Sequence, residues 1–294
     1  MGLGLRIRLL LGYHVLKFFA YLFPSFIPVN PLRKRFRSWI FGGLECLHQL
    51  RKSGDFELKE VDGVAVAVVN GIHFGNIEKL TESIVAQEVF RGDYHFATQG
   101  RAIVIDIGMN CGFASLYFAS RDDVEAVYGF ELVPSVYESA LSNFRLNPQY
   151  ADKIHAHNYG LGDNEKEIMV DFSESITGWT TIVEHEGKQL FAKSRGYSVT
   201  KIPVKVKDAA IEIGNIIERH PNERVVIKCD CEGAEKEIFA RLDEKGLLSA
   251  IDIVLMEYHF EYDQFITPLL DKYGFSYFKR NDSTNSGLIR AVKT

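Results

Sequence analysis

The chain has only four cysteines in 294 residues, no surplus of basic over acidic side chains, and no repeated or low-complexity tract. Cys46, Cys111, Cys229 and Cys231 show no zinc-ligand spacing and are too few for a disulfide scaffold. They are expected as small buried residues in a reducing, cytoplasmic compartment. Lys and Arg number 34 against 39 Asp and Glu, a formal net charge of −5. That balance argues against a nucleic-acid partner held by overall basicity. What is there is an ordinary globular composition, 46% hydrophobic and 25% charged. It excludes a disordered or collagen-like chain, and the length suffices for a sizeable buried core.

Charge is unevenly placed. Arg6, Arg8, Lys17, Arg33, Lys34, Arg35 and Arg37 precede the first acid, Glu45, leaving 27 basic against 39 acidic residues over the rest. Residues 3–27 are rich in Leu and Phe, but His14 and Lys17 interrupt the run and no small-residue cleavage pattern follows. Lys17 would sit mid-span in a membrane helix, at a cost of about 2.5–3.5 kcal/mol. The segment fits a basic amphipathic helix docked on its own domain or lying on an anionic membrane surface through residues 1–40; a signal anchor is the remaining alternative.

Residues 1–50 are therefore set apart as a helical segment. Asp55–Asn70 reads as a β-hairpin turning at Asp62–Gly63, within an extension over 51–75. Residues 76–294 are expected to form one α/β domain that opens with a helix over 76–90. Apolar strands at Arg101–Ile107, Ala126–Phe130, Ile154–Tyr159, Val225–Cys231 and Ile251–Tyr258 alternate with helices at Phe113–Ala119, Pro134–Phe144, Glu235–Leu242 and Phe265–Tyr273. Phe275–Lys279 and Gly287–Val292 close the chain as strands. Alternation of this kind means a doubly wound, mostly parallel sheet with helices on both faces. It breaks over 165–207, expected as a β-excursion or lid whose Trp179, Phe191 and Tyr197 either shape an acceptor pocket or form the lid's own core.

Ligands of such sheets bind beyond the carboxyl ends of the strands. The first apolar strand runs into Asp106-Ile107-Gly108-Met109-Asn110-Cys111-Gly112, and the second ends in Glu131. The glycines permit close approach to the backbone, but the spacing is not that of the dinucleotide fingerprint, which counts against a dehydrogenase. Asp106 repels phosphate and suits a cationic ligand, while an acid at Glu131 accepts hydrogen bonds from ribose hydroxyls. Asp106, Gly108, Asn110, Gly112 and Glu131 together suit S-adenosyl-L-methionine. Asp163, after Gly160-Leu161-Gly162, either meets the adenine amino group or simply makes a Gly-Asp turn.

The fourth strand leads to Asp230, placed to position the acceptor or the cofactor's amino-acid end, and then to Glu232 and Glu235; Glu235 is expected to open a helix. The fifth ends in Glu257-Tyr258-His259. His259, oriented by Glu257, is a candidate general base near neutral pH, or else merely ends a strand. A divalent metal held by Asp230, Glu257 and His259 is a further possibility.

The segments VIDIGMNCG (104–112), VYGFELVPSVYESALSNFRLN (127–147), NYGLGD (158–163), IKCDCEGAEKEIF (227–239) and LMEYH (255–259) resemble the FkbM family of S-adenosylmethionine-dependent methyltransferases. The resemblance covers about residues 88–292. It departs at Met109, where the family usually has Ala, and at Cys111, often Ile. It implies a Rossmann-like, seven-stranded methyltransferase fold with a last antiparallel strand, and methyl transfer, often to oxygen, on glycans or secondary metabolites. The alternative is a non-catalytic, membrane-peripheral or partner-docking module that keeps a nucleoside-binding fold.

Overall fold

The computed structural model describes residues 55–61, 64–75, 80–173 and 198–294. The N-terminal amphipathic segment with Cys46, and the aromatics Trp179, Phe191 and Tyr197, lie outside the described residues. The chain forms two compact units, residues 1–92 and 93–294. Among the described residues no helix is long and apolar enough to cross a membrane.

In the first unit, β1 (Phe56–Val61), β2 (Val64–Val69) and β3 (Ile72–Gly75) form an antiparallel meander, followed by α1 (Leu80–Arg91). The hairpin expected at Asp55–Asn70 thus gains a third strand. The turn from β2 into β3 is Asn70–Gly71, both left-handed at φ 51° and 81°, the conformation that Asn-Gly favours in tight hairpins, while the expected turn Asp62–Gly63 lies outside the described residues. Asn70 also closes the first hairpin: its Oδ1 accepts from the Asp55 amide at 3.0 Å.

The second unit is built on a seven-stranded sheet. Its strands are β4 (Ala102–Ile107), β5 (Val124–Phe130), β6 (Ile154–His157), β10 (Arg224–Cys229), β11 (Ile253–Tyr258), β12 (Phe275–Asn281) and β13 (Gly287–Lys293). They lie in the order β12-β13-β11-β10-β4-β5-β6, and only β13 runs against its neighbours. This is the doubly wound, mostly parallel sheet with a last antiparallel strand. Strand order reverses beside β4, so a crevice opens at the carboxyl ends of β4 and β10.

The helices are α2 (Phe113–Ala119), α3 (Pro134–Arg145), α4 (Ala209–Arg219), α5 (Glu235–Glu244) and α6 (Asp263–Lys272). Every residue of β4 is buried, as a central parallel strand covered on both faces requires. Ile103, Ile105 and Ile107 point into the core shared with Ile213 of α4, Phe239 of α5 and Ile266 of α6. Asp106 points to the other face, where Ser115 of α2 donates to it at 2.6 Å.

No element is expected from sequence between 208 and 225, yet α4 fills that stretch. Its signal is Asp208, an N-cap whose carboxylate accepts from Ala210 N at 2.9 Å and is gripped by Arg241 at 2.6 Å. At the borders of the expected excursion, β7 (Gly160–Gly162), β8 (Lys166–Phe172) and β9 (Thr200–Asp208) form a small sheet in the order β7-β9-β8; residues 174–197 lie outside the described residues.

Candidate active site

β4 ends at Ile107, and the next five residues turn the chain into α2. Gly108 and Gly112 take φ values of 77° and 80°, and Asn110 takes 53°. Gly108 has no room for a side chain: a Cβ there would stand 1.8 Å from the Asp230 carbonyl oxygen. The Gly108 and Met109 amides donate to Phe130 O at 3.1 and 2.9 Å, tying the loop to the end of β5. Met109 is fully buried, and its sulfur fills the space a Cβ on Gly129 would need. Asn143 Nδ2, from α3, holds Cys111 O at 2.8 Å.

Glu131 follows β5 and is 8% exposed. Its two carboxyl oxygens accept from the amides of Asn110 at 2.9 Å and Val133 at 2.8 Å. Burial raises its pKa to about 7, against the pull of those two amides. Each oxygen keeps a lone pair for a further donor. Glu131 and Asn110, 21 residues apart, are thus joined at the mouth of the crevice.

Asp106 does not face open space. It is fully buried, with Lys228 Nζ 3.1 Å from its Oδ1 and Ser115 on its Oδ2. Lys228 is 3% exposed and also donates to Gly108 O at 2.6 Å. Burial works against its charge, but Asp106 and Asp230 outweigh that and raise its pKa. The cation–anion pair therefore braces the loop from beneath, and the expectation of a direct Asp106–ligand contact gives way to that bracing role. The reason is register: Lys228 of β10 pairs directly with Asp106 of β4, so the two side chains share one face.

Asp163 is not brought to this group by the described contacts. β6 ends at His157, and the chain passes through Asn158 and Tyr159 into β7 of the smaller sheet. Asp163 then lies in the exposed turn after β7, paired with Lys166 at 2.8 Å. The residue standing at the carboxyl end of β6 is Asn158, whose Nδ2 donates to Glu131 O at 2.9 Å.

β10 stops at Cys229, two residues earlier than expected, and the turn beyond it carries Asp230, Glu232 and Glu235. Asp230 accepts from the Tyr94 hydroxyl at 3.3 Å. Glu232 is left-handed at φ 57°, unusual for a side-chain-bearing residue. Glu235 opens α5 as expected, but it is fully buried, and its Oε1 lies 2.8 Å from His259 Nδ1. The other ring nitrogen, Nε2, faces Glu232 at 3.7 Å and Glu257 at 3.9 Å.

Two expectations are corrected here. His259 is oriented by Glu235, not Glu257: Glu235, the first residue of α5, is the carboxylate within hydrogen-bond distance of the ring. Nor is His259 a base poised near neutrality. Burial opposes its charge, yet the Glu235 hydrogen bond and the carboxylates of Glu232, Glu235 and Asp230 prevail and hold its pKa near 9.

A family profile described as the methyltransferase FkbM domain matches residues 106–277, more than half of the chain. The chain belongs to the FkbM methyltransferase family. Asp106 opens the matched region, and Glu131, Asp230, Glu235 and His259 all fall inside it.

Two curated relatives are similar to this FkbM chain. The methyltransferase sdnD of Sordaria araneosa is 24% identical over 191 residues, which span 58% of this chain and 72% of that protein. The AMB antimetabolite synthetase AmbE of Pseudomonas aeruginosa is 24% identical over 269 residues, 81% of this chain but only 12% of AmbE. Among solved structures, the methyltransferase FkbM from Methylobacillus flagellatus aligns with a TM-score of 0.44 at 12% identity, covering 85% of this chain and 58% of that one. A Streptococcus pneumoniae protein titled a putative tRNA (m1A22) methyltransferase aligns with a TM-score of 0.36 at 16% identity, covering 68% of this chain and 66% of that one.

Sequence reasoning missed three members of the site: Glu232, Tyr94, and Glu235 as the partner of His259. Glu232 carries a local signal, preceding Gly233 just after a strand. Tyr94 reaches Asp230 across 136 residues and carries none.

Proposed function

We propose that the protein transfers a methyl group from S-adenosyl-L-methionine to a hydroxyl of a small molecule or glycan. The observation that carries this is the Asn110–Glu131 link, which sets a carboxylate with spare acceptor capacity against the turn after β4. The donor set fits the cofactor. Lys228, the cation beneath the loop, is consumed by Asp106 and Gly108, so it cannot serve a dinucleotide's phosphates. A sulfonium nucleoside carries no phosphate and suits acids.

In this reading Glu131 accepts the ribose hydroxyls, and the Gly108–Gly112 turn presents its backbone to the nucleoside. Lys228 and Asp106 hold that turn in shape. S-adenosyl-L-methionine, when bound, supplies a methyl group made electrophilic by the positive sulfur. The chain's remaining task is alignment of the acceptor, for which Asp230, Glu232, Glu257 and His259 converge from β10 and β11. His259, fixed through Nδ1, turns Nε2 toward the side of Glu232 and Glu257 and, in its unprotonated form, is the proposed group for the acceptor's proton.

Calorimetric titration with S-adenosyl-L-methionine and S-adenosyl-L-homocysteine tests the proposal. Micromolar binding that is lost in Glu131→Ala is expected. No binding at millimolar ligand to the folded protein would overturn it and favour a docking module on the same fold.

A further inference from the structure

The turn after β10 and the end of β11 place Asp230, Glu232 and His259 so that one ligand atom from each lies within 4.8 Å of the others. Two donors each about 2.1 Å from a shared ion stand roughly 3–4 Å apart. The separation of His259 Nε2 from Glu232 Oε2, 3.7 Å, is too long for a hydrogen bond and right for an ion between them. All three residues are half-buried, so the place is neither sealed nor fully solvated.

A second observation concerns Glu235, which is not one of the three. A metal-binding histidine characteristically gives its other ring nitrogen to a carboxylate, which fixes the ring and raises its basicity. Glu235 does this for His259 Nδ1 at 2.8 Å. Glu235 is fully buried, and its Oε2 has no hydrogen-bond partner among the described residues. A buried carboxylate with an unused oxygen, packed behind the ring, is costly unless positive charge stands close by. The His259 ring answers only Oε1, and Lys228 does not serve Oε2. Its Nζ reaches Asp230 only at 3.9 Å and is engaged by Asp106 and Gly108.

We propose that Asp230, Glu232 and His259 bind a divalent cation, with Glu235 as the buried partner that orients the histidine. One imidazole nitrogen and two carboxylates suit Mn²⁺ or Zn²⁺ better than Ca²⁺, which prefers an all-oxygen shell. Glu257, 3.9 Å from Nε2, borders the site without belonging to the closest triad. The ion's chemical use rests on the methyl-transfer reading above and replaces the proton-accepting role given there to His259, whose Nε2 it would occupy: it would hold the acceptor hydroxyl and favour its deprotonated form, the proton passing to solvent. Its binding does not depend on that reading.

The test is titration of Mn²⁺ into the chelator-treated full chain, followed by calorimetry and by the Mn²⁺ paramagnetic resonance signal. S-adenosyl-L-methionine is titrated in parallel on the same samples. One bound Mn²⁺ is expected, weakened at least tenfold in Glu232→Gln and in Asp230→Asn and unchanged in the surface variant Asp271→Asn. Zn²⁺ is expected to displace it, and Ca²⁺ at equal concentration is not. Absence of Mn²⁺ binding at millimolar concentration, or equal binding by all variants, overturns the ion site, and methyl transfer still stands if the cofactor binds. Variant-sensitive Mn²⁺ binding without cofactor binding upholds the ion site and removes the methyl-transfer reading.

Discussion

His259 Nδ1 lies 2.8 Å from Oε1 of Glu235, a carboxylate with no exposed surface, whereas Glu257, two residues away in sequence, stands 3.9 Å from the opposite ring nitrogen. The first contact orients the ring and the second borders the space in front of it.

The two glutamates therefore separate in a mutational test. Glu235→Gln is expected to lower turnover at least tenfold with cofactor affinity nearly unchanged, and Glu257→Gln to have the smaller effect on turnover. His259→Ala is expected to lower turnover by about 10²–10⁴-fold with little change in cofactor affinity. Steady-state kinetics beside calorimetry gives both quantities. Unchanged turnover in His259→Ala removes the residue from the mechanism.

Glu131 gives a pH dependence of defined sign. Burial lifts its pKa from 4.5 to about 7, so near neutrality the carboxyl is partly protonated. Ribose hydroxyls donate to the ionised form, so binding lowers the pKa and releases a proton. Cofactor affinity is then full above pH 7 and falls as pH drops below it, by about tenfold between pH 8 and pH 6. Glu131→Gln should bind more weakly and lose the slope. A flat profile in the native protein would place the ribose elsewhere.

Lys228 and Asp106 are a buried pair with side-chain exposures of 3% and 0%. Removing one partner strands the other. Lys228→Met is expected to cost about 3–5 kcal/mol of stability. Lys228→Met combined with Asp106→Asn should recover part of that loss. Urea denaturation of both single variants and the double variant measures the coupling, and additive losses would mean the two charges do not sense each other.

Gly108 and Gly246 are both left-handed, at φ 77° and 68°, but only Gly108 is crowded. Gly246→Ala meets nothing within 4 Å and should cost about 1–2 kcal/mol from backbone conformation alone. Gly108→Ala adds a collision with the Asp230 carbonyl and should cost about 2–5 kcal/mol and weaken cofactor binding. Equal losses in the two variants would mean that the contact relaxes freely.

The strand and turn expected to meet the cofactor were legible in the sequence because their signals are local. An all-buried strand shows as an apolar run, and Asp106, Gly108, Asn110 and Gly112 follow within a few residues of it. The orientation of side chains across the sheet was not legible. Whether Asp106 faces a ligand or a lysine depends on its register with β10, which no stretch of chain near Asp106 encodes. The partner of His259 was missed for a related reason. Glu257 is near in sequence, but Glu235 is brought beneath the ring by a helix that starts 24 residues earlier. Asp208 shows the opposite failure: the capping signal for α4 is present in the sequence and was passed over.

The contact between Gly108 and the Asp230 carbonyl also bears on how such a scaffold diversifies. Main chain meets main chain there, and the Asp230 amide donates to Ile107 O at 3.0 Å. The distance between the nucleoside turn and the acceptor turn is thus a property of the backbone. On the proposed reading, side chains around the acceptor can vary between relatives while the place where the methyl group would be delivered stays put.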